Sequence, residues 1–225
     1  RACQRQLMRV FLQVCDAVAY AHNFGVIHRK ISPDSLVVSG FGEVMLVDWD
    51  YAKPIDRGNA SPGSQQVVSD RRRGNNLLTM EGTVVGVLGF MSPEQASGRN
   101  DALDEGCDIY ALGALLYFLL TNRPPFEGDE SDVLADIMEG AITPPSVAAP
   151  HIGIDKTLDR IVLTAMATAR RNRFATASDL AIEVESFLEA PALGTAGANG
   201  IQPREWIWIG AATLSAILAI VGFAT

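Results

Sequence analysis

The chain has 225 residues, and its 26 Asp and Glu side chains outnumber its 18 Lys and Arg side chains, which gives a formal net charge of −8 at pH 7. Proteins that bind nucleic acid concentrate Lys and Arg on one face, so this balance argues against a nucleic-acid partner. The three cysteines and three histidines show no metal-ligand spacing. The scattered positions of these residues argue against a zinc site. Cysteines placed in this way are typical of reduced side chains in the core of a cytosolic domain.

The first predicted element is a helix over residues 6–22, which Asn23-Phe24-Gly25 terminates. Its apolar residues recur at helical spacing and form one stripe: Leu7, Val10, Phe11, Val14, Val18 and Ala21. A β-hairpin is predicted next, because the β-branched runs 36–38 and 44–47 flank turn residues. This hairpin would bring Asp48 beside the polar segment 28–35 that precedes it.

A polar stretch over residues 53–82 is predicted to be a loop. Its basic run Arg71-Arg72-Arg73 is interpreted as solvated, with binding of an acidic partner or a phosphate as the alternative. Residues 107–120 are apolar on nearly every face and predict a buried central helix, because the run opens at Asp108 and is too short for a membrane span.

Three further helices are predicted, over residues 131–139, 154–167 and 177–188. We expect Ser131 to cap the first of them and Gly140 to end it.

The C-terminal part of the sequence predicts a linker over residues 190–205 and one transmembrane helix over residues 206–225, which carry no charge and begin with Trp206. A hydrophobic core helix is the alternative. Arg204 just before the span favours a cytoplasmic location for the preceding domain. Small residues at four-residue spacing would allow a homodimer through this helix: Ala211, Ser215 and Ala219.

Five separated segments resemble, in order, motifs of bacterial Ser/Thr protein kinases. His28-Arg29-Lys30-Ile31-Ser32-Pro33-Asp34-Ser35 is similar to the catalytic loop H-R-D-L-K-P-x-N, and Asp48-Trp49-Asp50 to the D-F-G segment. Residues 83–95 are similar to the G-T-x-x-Y-M-x-P-E-Q segment, residues 107–120 to the central helix of the C-terminal lobe, and Arg173 to an Arg that pairs with the Glu of the A-P-E segment.

This resemblance implies an α+β fold: a kinase-like C-terminal lobe over residues 1–189, mainly helical with a small β-hairpin, followed by the transmembrane helix. No Gly-rich loop, V-A-I-K-type strand or αC Glu precedes the catalytic-loop segment. We therefore expect the chain to be part of a longer protein, with the N-terminal lobe outside it.

The sequence departs from the kinase pattern at the positions that carry chemistry. Lys30 stands where the family has its catalytic Asp, and a Lys with an ordinary pKa of about 10.4 is protonated at neutral pH and cannot accept a proton. Ser35 replaces the Asn that binds the second metal ion, and Ser32 replaces a Lys. Val87 replaces a Thr whose hydroxyl, in the family, contacts the catalytic Asp and that Lys. These substitutions predict that no catalytic residue set is intact.

Other family positions are retained, and the resemblance implies structural roles for them. His28 and Arg29 belong to the catalytic-loop framework, Asp108 would hold the backbone of that loop, and Glu94 would pair with Arg173. Asp48 is the metal ligand that the resemblance implies, with ATP and Mg²⁺ as the cofactors.

The sequence thus predicts a membrane-anchored, single-pass Ser/Thr kinase-like protein that has lost activity and acts in signalling as a binding or scaffold module. Its partner would be a protein, for instance another kinase or a substrate protein. One alternative is an active or weakly active ATP-dependent Ser/Thr kinase in the full-length protein. Another is a gene product without function.

Overall fold

In the computed structural model, residues 2–55, 86–100 and 103–190 are described, and they form a mainly helical fold with two small sheets. The helices are α1 (Ala2–Asn23), α2 (Pro93–Ala96), α3 (Glu105–Thr121), α4 (Glu130–Glu139), α5 (Pro145–Ala148), α6 (Lys156–Ala165) and α7 (Ala177–Glu189). The strands are β1 (Val26–Ile27), β2 (Leu36–Val38), β3 (Val44–Leu46) and β4 (Lys53–Pro54).

Helix α3 is the centre of the core. Its side chains from Gly106 to Tyr117 are all buried, because the helix is apolar on nearly every face and other helices pack around it. It contacts α1, α5, α6 and α7. The predicted central helix is therefore confirmed, and it begins two residues earlier than predicted because the Asp104 side chain accepts a hydrogen bond from the Gly106 amide as N-cap.

The amphipathic helices also follow the apolar pattern of the sequence. The predicted helix over residues 6–22 is α1, whose stripe residues Phe11, Val14 and Val18 are buried in the main core. Helix α4 begins at Glu130, with Asp129 at the N-cap position, so the prediction of Ser131 as N-cap is wrong by two residues. Gly140 ends this helix at φ +73°, a left-handed conformation in which glycine is favoured.

The two sheets are antiparallel pairs that frame the candidate site. In the predicted hairpin, β2 pairs with β3 so that Leu36 faces Leu46 and Val38 faces Val44. Strands β1 and β4 also pair, with Val26 opposite Pro54, and this pairing was not predicted. Between these strands lie the segment that follows β1 and the turn that follows β3, and both carry the candidate functional residues.

Within the described part of the chain, no helix has both the length and the apolar character needed to cross a membrane. The predicted span over residues 206–225 and nearly all of the predicted linker, from residue 191 on, lie outside the described residues, as do most of the predicted loop over residues 53–82 and its basic run.

Candidate functional site

The segment after β1 is fastened by a buried carboxylate, that of Asp108 in the first turn of α3. Its Oδ2 accepts a hydrogen bond from the His28 amide at 2.7 Å, and its Oδ1 accepts one from the Arg29 amide at 2.8 Å. His22 Nε2 lies 2.9 Å from the same Oδ2. Burying a carboxylate is costly unless hydrogen bonds satisfy it, and here two backbone amides and the His22 ring surround a side chain with no solvent exposure. The hydrogen bonds expected between Asp108 and the loop backbone are thus present in the structure.

His28 joins this segment to the end of β3. Its Nε2 lies 2.8 Å from the Val47 carbonyl oxygen, and its Nδ1 accepts from the Lys30 amide at 3.2 Å. These two partners fit a neutral ring that carries its proton on Nε2. Burial lowers the pKa of His28 from its ordinary value. The Trp49 ring packs edge-on against the imidazole, with 4.6 Å between centroids.

Arg29 forms hydrogen bonds through both its side chain and its backbone. Its side-chain Nε donates to the Tyr51 carbonyl oxygen at 2.5 Å, and its own carbonyl oxygen accepts from Gln95 Nε2 at 2.8 Å. The residue has φ +67°, a left-handed conformation that is unfavourable for a residue with a Cβ. The hydrogen bonds at its amide and carbonyl stabilise that conformation.

Gln95 is a positioning residue that the sequence analysis did not single out. It is buried at the third position of α2, where it also forms a capping box with Ser92. The pattern Ser92-Pro93-Glu94-Gln95 carries the capping signal, so the helix start could have been predicted from it. The contact with Arg29, 66 residues away, has no local signal.

Lys30 and Asp48 form an ion pair at the centre of the candidate site. Lys30 Nζ lies 2.8 Å from Asp48 Oδ2, and the two side chains are 29% and 42% exposed. The hydrogen bond to Asp48 raises the pKa of Lys30 above its ordinary value. Lys30 is therefore a cation at neutral pH, and its Nζ also lies 5.3 Å from the centroid of the Tyr51 ring.

Ser35 directs its hydroxyl into its own loop. Its Oγ donates to the Ser32 carbonyl oxygen at 2.8 Å and accepts from the Ser32 amide at 3.0 Å. Both serines are buried. This exchange of hydrogen bonds closes the short 3-10 turn Pro33–Ser35, and it leaves the Ser35 hydroxyl directed at backbone rather than at Asp48.

The ion pair predicted between Glu94 and Arg173 is present, away from Lys30 and Asp48. It is bidentate, with 2.6 Å from Nη1 to Oε1 and 2.9 Å from Nη2 to Oε2. The Arg173 guanidinium also donates to three backbone carbonyls: those of Gly106, Ala167 and Thr168. With its side chain fully buried over the Tyr110 ring, Arg173 joins α2 to the start of α3.

The remaining residues of the predicted site are placed differently. Val87 is half-buried and packs against the main core, while Phe90 and Met91 donate their amides to its carbonyl oxygen. Among the described residues there is no group of three or more His, Cys, Asp and Glu that could hold a metal ion.

The anchored loop, the acid-bearing turn after a hairpin and the Arg173–Glu94 pair beside the start of the central helix are arranged as the kinase motifs predict, and the comparisons show the family. The family model described as the protein kinase domain matches residues 2–178. The chain belongs to the protein kinase family.

The chain is also similar to curated bacterial kinases. It is 34% identical to serine/threonine-protein kinase PknD of Protochlamydia amoebophila over 186 residues, which cover 81% of this chain and 18% of that protein. For the probable serine/threonine-protein kinase PknB of Bifidobacterium longum the identity is 36%, over 82% of this chain and 24% of that protein. For serine/threonine-protein kinase PknB of Mycobacterium tuberculosis it is 33%, over 78% and 25%. The chain thus spans a quarter or less of the length of these relatives.

Kinases use ATP with Mg²⁺, and the described residues of this site do not fit the metal ion. Mg²⁺ requires several oxygen ligands in near-octahedral geometry. Asp48 is the one carboxylate at the expected position, and it is paired with an ammonium. The Ser35 hydroxyl, at the second expected ligand position, is bonded to Ser32.

The buried pair gives a prediction for Arg173→Met. The substitution leaves the Glu94 carboxylate without its cation and removes one donor from each of three backbone carbonyls, so we expect the free energy of unfolding to fall by about 3–5 kcal/mol. Urea denaturation measures this loss. The matched control is Arg160→Met, which breaks the exposed pair with Glu183 (2.7 Å) and should cost less than about 1 kcal/mol. Equal losses in the two variants would contradict the structural role of Arg173.

His28 gives a pH prediction. Because its pKa is lower in the folded chain than the ordinary 6.5, the unfolded chain binds more protons below that pH, and stability is lost as the pH falls. Denaturation at a series of pH values from 7 to 5 should show this loss, with a slope from this group of at most about 1.4 kcal/mol per pH unit. We expect His28→Gln to reduce the slope and His151→Gln, at an exposed residue, to retain it. An unchanged slope in His28→Gln would be the contrary result.

Proposed function

We propose that the chain is the C-terminal lobe of a membrane-anchored Ser/Thr kinase-like protein that has lost phosphotransfer and acts in signalling as a binding module, that is, a pseudokinase. The observation that carries this proposal is the ion pair between Lys30 and Asp48. It puts a cation at the position of the proton acceptor and engages the residue that would bind the metal ion.

Loss of the proton acceptor would slow phosphate transfer substantially. General base help contributes about 10²–10⁴ in rate, and the hydrogen bond to Asp48 keeps the Lys30 ammonium protonated. Asp50 acts on Lys30 electrostatically, and both Asp50 and Asp34 are exposed. The protonated Lys30 and the poor fit of the site to Mg²⁺ together support a site that does not transfer phosphate.

The alternative is an active or weakly active ATP-dependent Ser/Thr kinase, and one observation favours it. The framework of the loop is complete: Asp108 holds the His28 and Arg29 amides, and Glu94 pairs with Arg173. In this alternative a full-length protein would use Asp48 with metal, which requires Lys30 to move away.

A complete framework without the acceptor also supports a binding role. Helix α4 exposes Met138, and α5, the next helix in the chain, exposes Val147, so apolar side chains are available to a protein partner. The partner class we propose is another kinase or a substrate protein.

Phosphate transfer tests the loss of activity. The full-length protein is incubated with radiolabelled ATP, MgCl₂ and a general Ser/Thr substrate. We expect its labelling to be no higher than that of Asp48→Asn, whereas ordinary kinases complete about 1–100 turnovers per second. Asp132→Asn, at an exposed Asp of α4 outside the site, serves as the matched control for removal of an Asp charge. Asp48-dependent labelling at an ordinary rate would contradict the proposal and establish the alternative.

Membrane anchoring rests on residues 206–225, an uncharged stretch about 30 Å long as a helix. We expect the protein to stay with membranes after an alkaline carbonate wash, and a variant lacking residues 206–225 to be released. Deletion of residues 191–205 is the control, since it shortens the linker and keeps the span. Recovery of the intact protein in the soluble fraction would contradict the anchor.

A further inference from the structure

Three consecutive residues of the catalytic-loop segment reach the turn that follows β3. His28 Nε2 lies 2.8 Å from the Val47 carbonyl oxygen, Arg29 Nε lies 2.5 Å from the Tyr51 carbonyl oxygen, and Lys30 Nζ lies 2.8 Å from Asp48 Oδ2. The first two contacts are made to backbone carbonyl oxygens. The third is the one contact of this set that joins two opposite charges.

Asp48 combines the ion pair with an uncommon backbone conformation. Its φ of +66° is left-handed, a conformation that costs free energy for a residue with a Cβ. The residue persists in it when its surroundings hold it, and the Lys30 ammonium is the group that contacts its carboxylate. A divalent ion bound to Asp48 would hold the same carboxylate, so the two cations compete for one position.

Coexistence of the two cations is unfavourable. An ammonium within hydrogen-bond distance of a carboxylate lies about 4–5 Å from any ion bound to that carboxylate, and like charges at such a distance repel even in water. Lys30 is further stabilised as a cation by the nearby Asp50 carboxylate and by the Tyr51 ring at 5.3 Å. The ammonium is attached to the chain, so its local concentration is high and does not depend on the solution.

We propose that Lys30 is a tethered cation that replaces the divalent ion at Asp48 and holds the Asp48 turn against the catalytic-loop segment in the absence of metal. This deepens the proposed function and rests on it: a binding module whose surface keeps one conformation has no need of a metal ion to order this turn.

Hydrogen exchange on the whole chain tests the holding role. We compare the wild type with Lys30→Met, which keeps the unbranched side chain and removes its charge. Amides of residues 44–51 should exchange about two- to fivefold faster in Lys30→Met, the factor expected from loss of a partly exposed ion pair. In Lys156→Met, which removes an exposed ammonium from another ion pair, they should exchange as in the wild type. Equal exchange in Lys30→Met and the wild type would overturn the proposal.

Millimolar MnCl₂ tests the replacement of the metal. The wild type should show no change in exchange of residues 44–51 on addition of Mn²⁺, because the Lys30 ammonium already occupies the Asp48 carboxylate. Asp48→Asn, measured in the same way, shows any effect of Mn²⁺ that does not depend on this carboxylate.

Two results would therefore overturn the inference: equal exchange in Lys30→Met and the wild type, or a slowing of exchange by Mn²⁺ in the wild type that Asp48→Asn abolishes. Neither depends on phosphotransfer. If the exchange experiments fail and the phosphate-transfer assay shows no Asp48-dependent labelling, only the tethered-cation proposal is contradicted. Asp48-dependent labelling in that assay would contradict the proposed function itself.

Discussion

The structure of this site depends on one buried carboxylate. Asp108 lies in the first turn of the central helix and accepts the amides of His28 and Arg29, so a segment 80 residues away along the chain is fixed to the most buried helix of the lobe. Removing this carboxylate would leave two buried amides without an acceptor and Arg29 without support for its left-handed φ. The contacts of His28, Arg29 and Lys30 with the turn after β3 all follow from this attachment.

A second attachment acts on the same segment from α2. Gln95 donates to the carbonyl of Arg29, and its neighbour Glu94 is held by Arg173. The amide and the carbonyl of Arg29 are therefore held by different helices. Because both attachments involve backbone groups of the loop, they remain complete in a chain that has Lys30 at the position of the catalytic Asp.

The sequence predicted the elements well where the signal was local and periodic. The apolar stripe of α1, the uniformly apolar α3 and the β-branched runs of the hairpin each produced the expected element, with ends shifted by a few residues. The N-cap of α4 was misplaced because Asp129 and Ser131 are both good capping residues and only the path of the chain decides between them. Pairing of β1 with β4 was missed, since two-residue strands that are distant in sequence leave no periodic pattern.

The candidate site was predicted in its residues more than in its contacts. The motifs identified Lys30, Asp48, Asp108, Glu94 and Arg173, and the resemblance to kinases implied the pairing of Glu94 with Arg173. The ion pair of Lys30 with Asp48 and the contact of Gln95 with Arg29 were not predicted, because both depend on side-chain conformations set by the tertiary structure. Asp108 acts on amide hydrogens, which every amino acid except proline supplies. The anchoring therefore does not depend on which side chains residues 28 and 29 carry, so the same backbone attachment can present different side chains at this site.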